Sequence, residues 1–198
     1  MALGIGEGAA YRERLWTALD KVRMDSVMED ISSTPDIEAL VAVFHSIREA
    51  GNNLYFIGNG GSAGIAIHMT ADFFKNGQMR TVSMYNPATL TCLGNDFSYE
   101  YVFSKQLELL ARPGDLLVAI SSSGNSPNIL RTIATAKEKG CKVITLTGFR
   151  EDNKARQMGD FNIYVPIMEY GIVESVHNII LQQVVDMLME ENKEESKI

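Results

Sequence analysis

Two short turns rich in glycine and serine carry residues whose types and spacing could bind an anion. The sequence GNGGSA covers 58–63 after the apolar run 54–57, and SSSGNSP covers 121–127 after the apolar run 116–120. Glycine lets a ligand approach the backbone, serine hydroxyls can donate to phosphate oxygens, and the N-terminus of a following helix attracts negative charge. Each turn alone could equally be a capped strand-to-helix connection. Two such turns after successive strand–helix units favour a ligand that carries a phosphate.

A second set of side chains could move a proton or hold a metal ion. His68 and Asp72 are four residues apart and share one helical face, which suits a divalent ion such as zinc. This spacing alone is also typical of a half-buried histidine with one hydrogen bond. Glu174, His177 and Gln182 fall on one broad face of the last predicted helix, where His177 could equally make a structural hydrogen bond. The first turn has neither a Walker lysine nor the dinucleotide glycine pattern, so we expect no nucleotide cofactor.

Apolar runs that alternate with helical patterns must position these residues. Five buried strands are predicted, at 54–58, 80–84, 116–121, 142–147 and 161–166. Continuous apolar strands separated by helices are typical of a parallel sheet covered on both faces. Ligands of such sheets bind at the carboxyl ends of the strands, where both turns lie.

Helices are predicted before, between and after the strands. Two of them, at about Tyr11–Glu29 and Ile37–Ala50, precede the first strand, and Ser33 or Thr34 is the candidate cap of the second. A helical stretch is also predicted at Tyr99–Ala111, and the last helix starts at about Gly171. An N-terminal helical layer of this kind commonly serves oligomerisation.

Length and composition restrict the class of protein. The 198 residues suit one domain, with an N-terminal helical layer at 1–50, an α/β core at 54–188 and a charged, solvated tail at 189–198. The net charge of −7 argues against a nucleic-acid partner, and the longest apolar runs are too short to span a membrane. No secretory signal is visible, and Cys92 and Cys141 lack a CxxC spacing, so we expect reduced thiols and a cytoplasmic location.

Several motifs in order resemble the SIS (sugar isomerase) domain family, and more narrowly its phosphoheptose isomerase group. They are GNGGSA with a later histidine, CLGNDFSYEYVFSKQ, the stretch 112–149, and VP followed by VESVH. The resemblance covers about 54–188 and implies an α/β, flavodoxin-like three-layer sandwich with a five-stranded parallel sheet, preceded by N-terminal helices. It also implies a sugar phosphate substrate, zinc as a cofactor, and a homotetramer with sites at subunit interfaces.

The resemblance assigns substrate binding to both turns and to a Gly-Asn-Asp motif. The residues implied for the sugar are Asn59, Gly60, Gly61, Ser62, Asn95 and Asp96. The residues implied for the phosphate are Ser121, Ser122, Ser123, Gly124, Asn125 and Ser126.

The implied catalytic residues are Asp72, Glu174 and Gln182, and the implied metal ligands are these three with His68. Well-known members of the family have glutamate, glutamine and histidine at the first three positions. A neutral amide cannot act as a base at pH 7 and is a poorer zinc ligand than imidazole. We therefore hypothesise that Asp72 and Glu174 form a pair of carboxylates that replaces the usual acid/base pair.

The expected activity is aldose–ketose interconversion of sedoheptulose 7-phosphate and a heptose 7-phosphate, which feeds activated heptose into surface polysaccharide. One alternative is a non-catalytic phosphosugar-binding protein. A family paralogue that lost the second catalytic histidine binds the bacterial replication initiator protein, and Gln182 makes that precedent relevant. Another alternative is an enzyme that acts on a different sugar phosphate. The intact serine turn, the Gly-Asn-Asp motif and His68 predict phosphosugar binding in every case.

Overall fold

The computed structural model describes the backbone of residues 5–195 and the side chains of residues 8–190. The helices are α1 (Ile5–Asp20), α2 (Ile37–Glu49), α3 (Gly61–Lys75), α4 (Pro87–Asp96), α5 (Ser104–Leu110), α6 (Pro127–Glu138), α7 (Lys154–Met158) and α8 (Tyr170–Glu195). The strands are β1 (Arg23–Ser26), β2 (Asn53–Gly58), β3 (Arg80–Val82), β4 (Leu116–Ser121), β5 (Lys142–Gly148) and β6 (Phe161–Val165). One 3₁₀ turn covers Tyr99–Tyr101.

The sheet has the strand order β1-β6-β5-β4-β2-β3, in which β2 to β6 are parallel and β1 is antiparallel. Apolar side chains alternate between its faces, as the period of two along a strand requires. One face packs against α1, α2, α3 and α8, and the other packs against α4 to α7. The predicted three-layer α/β sandwich is therefore confirmed.

The sheet has six strands where the sequence predicted five, because Arg23–Ser26 forms an edge strand. The prediction of one helix over Tyr11–Glu29 is wrong beyond Asp20, where α1 ends. The strand pairs with β6, and the Asp25 carboxylate accepts hydrogen bonds from Asn162 Nδ2 at 2.9 Å and Arg156 Nη2 at 2.7 Å. These distant partners outweigh the helical spacing of the nearby apolar residues.

Several helix boundaries also differ from the predictions. The cap of α2 is Asp36, whose Oδ1 accepts from Ala39 N at 3.0 Å, rather than Ser33 or Thr34. Thr34 precedes a proline, which disfavours the helical region for that residue. The helical stretch predicted at Tyr99–Ala111 is divided into the 3₁₀ turn and α5, while α4 and α7 were not predicted.

The final helix, α8, continues through most of the charged tail, to Glu195. The prediction of a solvated tail at 189–198 falls mostly outside the residues whose side chains are described, which end at 190. Among the helices that the structure describes, none is both long enough and apolar enough to cross a membrane.

Candidate functional site

The two predicted anion-binding turns lie side by side at the carboxyl edge of the sheet. Strands β2 and β4 are neighbours, and Gly58 is the partner of Ile120 in their register. Strand β5 is the next neighbour, where Ser121 is the partner of Thr147. The ends of three parallel strands therefore surround the space in which a ligand would bind.

A reciprocal pair of amides joins the two turns. Asn59 Nδ2 donates to Asn128 Oδ1, and Asn128 Nδ2 donates to Asn59 Oδ1, each at 2.9 Å. The Tyr99 hydroxyl also donates to Asn59 Oδ1 at 2.9 Å. Asn128 is buried in the first turn of α6, and sequence reasoning missed it together with Tyr99. A polar residue directly after the helix-starting Pro127 was the available signal for Asn128.

The first turn is held in shape by Tyr85 and by glycine. The Tyr85 hydroxyl accepts from Gly58 N at 2.7 Å and donates to Gly58 O at 2.9 Å, and burial raises the pKa of this phenol. A Cβ atom on Gly58 would lie 2.6 Å from the backbone of Ser62, so a side chain does not fit there. Gly60 has φ +57° and no side-chain cap, which leaves the start of α3 open to a ligand.

The second turn, which we call the serine loop (121–126), is a folded turn and not a linker. Ser121 Oγ accepts from Gly124 N at 3.2 Å, and Ser123 Oγ accepts from Asn125 N at 3.4 Å. Ser122 is buried, and its Oγ has no hydrogen-bond partner among the described residues. Ser126 occupies the cap position of α6 without a side-chain cap bond. The hydroxyl of Ser122 is therefore a buried polar group that the described residues leave without a partner.

The start of helix α7 packs against the serine loop and donates hydrogen bonds to it. Gly124 has φ +61°, and a Cβ atom there would lie 2.8 Å from Asn153 Cβ. Ala155 N donates to Gly124 O at 2.9 Å, and Lys154 N donates to Asn125 Oδ1 at 3.3 Å. Glycine at 124 is thus required by both the backbone conformation and the close approach of α7.

The residues of the Gly-Asn-Asp motif lie at the exposed end of α4. Asn95 Nδ2 donates to Asp96 Oδ1 at 2.9 Å. Cys92 Sγ lies 3.6 Å from Asp96 Oδ2, and this carboxylate raises the pKa of the thiol. Tyr99 follows Asp96 by three residues, and its hydroxyl donates to Asn59 Oδ1 in the first turn. The segment after the motif, rather than Asn95 or Asp96, therefore makes this contact with the first turn.

His68 and Asp72 lie together on the outer side of α3, as their spacing predicts. His68 Nε2 is 3.4 Å from Asp72 Oδ2, and the imidazole is 54% exposed whereas the carboxylate is 21% exposed. Asn76 Nδ2 donates to the other oxygen of Asp72 at 3.5 Å.

The Glu174 carboxylate packs against the first residue of α3. A Cβ atom on Gly61 would lie 2.6 Å from Glu174 Cδ and 2.7 Å from its Oε1. The side chain thus reaches from α8 to the first turn of α3. It therefore lies beside the predicted sugar-binding turn, whereas His68 follows Gly61 by seven residues, about 10 Å along α3.

The other two polar residues of α8 have different surroundings. Gln182 Nε2 donates to Asp186 Oδ1 at 3.3 Å, one turn further along the same helix. His177 is fully buried, its Nε2 lies 3.1 Å from Thr147 O, and burial lowers its pKa to about 4. His177 is thus neutral at physiological pH and makes the structural hydrogen bond that the sequence left open.

The four implied zinc ligands do not converge on one point within the chain. Only the His68–Asp72 pair brings two of them together, and no group of three His, Cys, Asp or Glu side chains among the described residues could hold a metal ion. Zinc sites use three or four protein ligands. The donor set within the described part of one chain does not fit zinc.

Comparison with known proteins gives a consistent result. A family model of the SIS domain matches residues 22–148. The phosphoheptose isomerase of Akkermansia muciniphila is 36% identical over 152 residues, which are 74% of this chain and 80% of that protein. The phosphoheptose isomerase of Rhodospirillum rubrum is 40% identical over 149 residues, or 71% of this chain and 77% of that protein.

The solved structure of phosphoheptose isomerase from Neisseria gonorrhoeae superposes with a TM-score of 0.79 at 28% identity, and the match covers 93% of this chain and 96% of that one. The sequence matches thus cover more than two thirds of the chain, and the structural match covers nearly all of it. The chain belongs to the SIS-domain family and, within it, to the phosphoheptose isomerases.

Proposed function

We propose that the protein is an isomerase that interconverts sedoheptulose 7-phosphate and a heptose 7-phosphate in the cytoplasm. The observation that carries the proposal is the pair of turns joined by Asn59 and Asn128 at one edge of the sheet. One turn offers hydroxyls and a helix N-terminus to a phosphate, and the other lies beside a carboxylate. The curated relatives named for this activity support the substrate.

The serine loop is the proposed phosphate site. A dianion there would meet the unpartnered Ser122 hydroxyl and the N-terminus of α6, which begins at Pro127. The loop itself carries no charged side chain, so hydrogen bonds and the helix dipole would hold the phosphate.

The chemical step moves a proton between two adjacent carbons through an enediol. It requires a base that reaches both carbons and a donor for the carbonyl oxygen. Glu174 is the proposed base, because its carboxylate lies at the sugar-binding turn next to Gly61. Asp72, in contact with His68, follows Gly61 by eleven residues, about 16 Å along α3, so it is the proposed second acid/base group only in a site shared with another copy of the chain.

One feature favours a second candidate function, a phosphosugar-binding protein without catalysis. Gln182 occupies the position of a catalytic histidine and contacts Asp186, and an amide cannot take up a proton at neutral pH. The same loop would then bind the sugar phosphate and leave it unchanged.

The proposed assembly is a homotetramer. Large apolar side chains are exposed on two helices of the α8 face of the sheet, namely Trp16 on α1 and Ile67 and Phe74 on α3. Contact with a second copy would remove them from water. Light scattering on the purified protein would give one mass near four times 21.9 kDa, and a monomer would contradict the proposal.

Turnover and binding must be measured together to test the function. The protein is incubated with sedoheptulose 7-phosphate, with a chelator or with added zinc, and the aldose product is followed by NMR. Product in the chelator arm supports transfer by side chains alone, and product only with zinc would contradict it. Binding by calorimetry without product in any arm would favour the binding protein over the isomerase.

A further inference from the structure

A single peptide group connects α8 to the serine loop. His177 Nε2 lies 3.1 Å from Thr147 O, and Gly148 N donates to Ser122 O at 3.0 Å. The carbonyl of Thr147 and the N–H of Gly148 belong to the same peptide bond. His177 and Ser122 therefore hold opposite sides of one rigid, planar unit.

The chemistry of this contact fixes the state of the imidazole. A backbone carbonyl can only accept, so Nε2 carries the proton and Nδ1 presents a lone pair. Burial lowers the pKa of His177 to about 4, which keeps the ring neutral at working pH. A donor on the carbonyl also polarises the peptide, and a polarised peptide is a stronger donor through its N–H.

Unpartnered polar atoms collect at the same place. Three buried side-chain atoms in the described part of the chain have no hydrogen-bond partner: Ser122 Oγ, Thr147 Oγ1 and His177 Nδ1. All three belong to residues that meet at the Thr147–Gly148 peptide. Since buried polar groups are normally paired, three unpartnered atoms at one peptide mark this junction as unusual in the described part of the chain.

The peptide lies in close contact with α8 and with the serine loop. A Cβ atom on Gly148 would lie 2.7 Å from Val173 Cγ1 and 3.3 Å from Ser122 O, so the helix and the loop both touch the backbone at this residue. Val173 and His177 are four residues apart and hold the same segment from one helical face.

We propose that His177 is a positioning residue of the phosphate site, which fixes the backbone of Ser122 through the Thr147–Gly148 peptide and so sets the serine loop in its anion-binding shape. This rests on the proposed phosphate site and adds a mechanism to it. Glu174 lies on the same helix, one turn before His177. The contact therefore also fixes the position of the Glu174 carboxylate relative to the serine loop.

The first experiment needs no ligand. Amide hydrogen exchange at Gly148 N–H is compared in the wild type, H177Q, H177L and V176A. The Gln amide can still donate to Thr147 O, whereas Leu cannot; Val176 is a buried neighbour on α8 whose truncation lowers stability without removing this donor. We expect exchange to be at least tenfold faster in H177L, and close to wild type in H177Q and V176A once differences in global stability are subtracted.

The second experiment measures the Kd for sedoheptulose 7-phosphate by calorimetry. We expect H177L to weaken binding about tenfold, with H177Q within threefold of the wild type. If H177L does not fold, H177N replaces it. The asparagine side chain is one methylene shorter than that of glutamine, so its amide should not reach Thr147 O.

The two experiments separate the failure of each idea. If the wild type binds no sugar phosphate, the proposed function is wrong, and the exchange data still test the contact. If H177L exchanges and binds like the wild type, or if V176A loosens the loop as much as H177L does, His177 has no positioning role.

Discussion

Replacing Gly61 by alanine should displace the Glu174 carboxylate and leave the fold intact. The new Cβ would lie 2.6 Å from Glu174 Cδ, closer than such atoms can approach, and the flexible end of the glutamate side chain would have to move. The substitution lies at the start of α3, where alanine is favoured over glycine by up to about 1 kcal/mol. A shift of about 1 Å in a catalytic group can cost 100-fold in rate, so kcat should fall between ten- and 100-fold with an unchanged or higher Tm.

Gly64 provides the matched control for this experiment. It lies on the same helix, and a Cβ atom there would have no atom within 4 Å. G64A should raise stability slightly and keep the wild-type kcat for sedoheptulose 7-phosphate. If G61A also retained the wild-type kcat and KM, the position of Glu174 at the first turn would be irrelevant to turnover, and its role as the base would be refuted.

Four further predictions concern binding and stability. S122A should weaken sugar phosphate binding about tenfold in calorimetry at unchanged stability, because its Oγ has no partner among the described residues; unchanged affinity would refute this. N128A should lower both binding and stability, the latter by about 1–3 kcal/mol in urea unfolding, because it removes both amide hydrogen bonds to Asn59; an unchanged midpoint would argue against the amide pair. Since the native pKa of His177 is about 4 and the ordinary value is 6.5, the unfolded chain takes up a proton first as the pH falls, and the native state should lose about 2 kcal/mol between pH 7 and 4.5 that H177Q does not lose; equal pH profiles would contradict this. D25A should lower the free energy of unfolding by about 1 kcal/mol by detaching β1 from β6, and no change in a urea titration would contradict that.

The features that sequence reasoning predicted are those with local causes. The parallel strands are continuous apolar runs because both faces of the sheet are covered, and the glycine and serine turns follow them directly. The pairing of His68 with Asp72 also follows from helical geometry alone.

The features that it missed depend on partners far away in the sequence. Strand β1 has no alternating pattern, and only the open edge of β6 and the partners of Asp25 make it a strand. The pairing of Asn128 with Asn59 joins residues that are 69 positions apart. The place of Glu174 is set by the packing of α8 on α3, where the absence of a side chain at Gly61 admits the carboxylate.

The kinetics of Glu174→Gln in D₂O test the central claim most directly. This substitution keeps the shape of the side chain and removes its capacity to accept a proton. We predict that the wild type converts sedoheptulose 7-phosphate to the aldose with deuterium at C2, that E174Q lowers kcat by about 10²- to 10⁴-fold, and that its Kd stays within threefold. Wild-type turnover by E174Q, or no product from the wild type itself, would contradict the account.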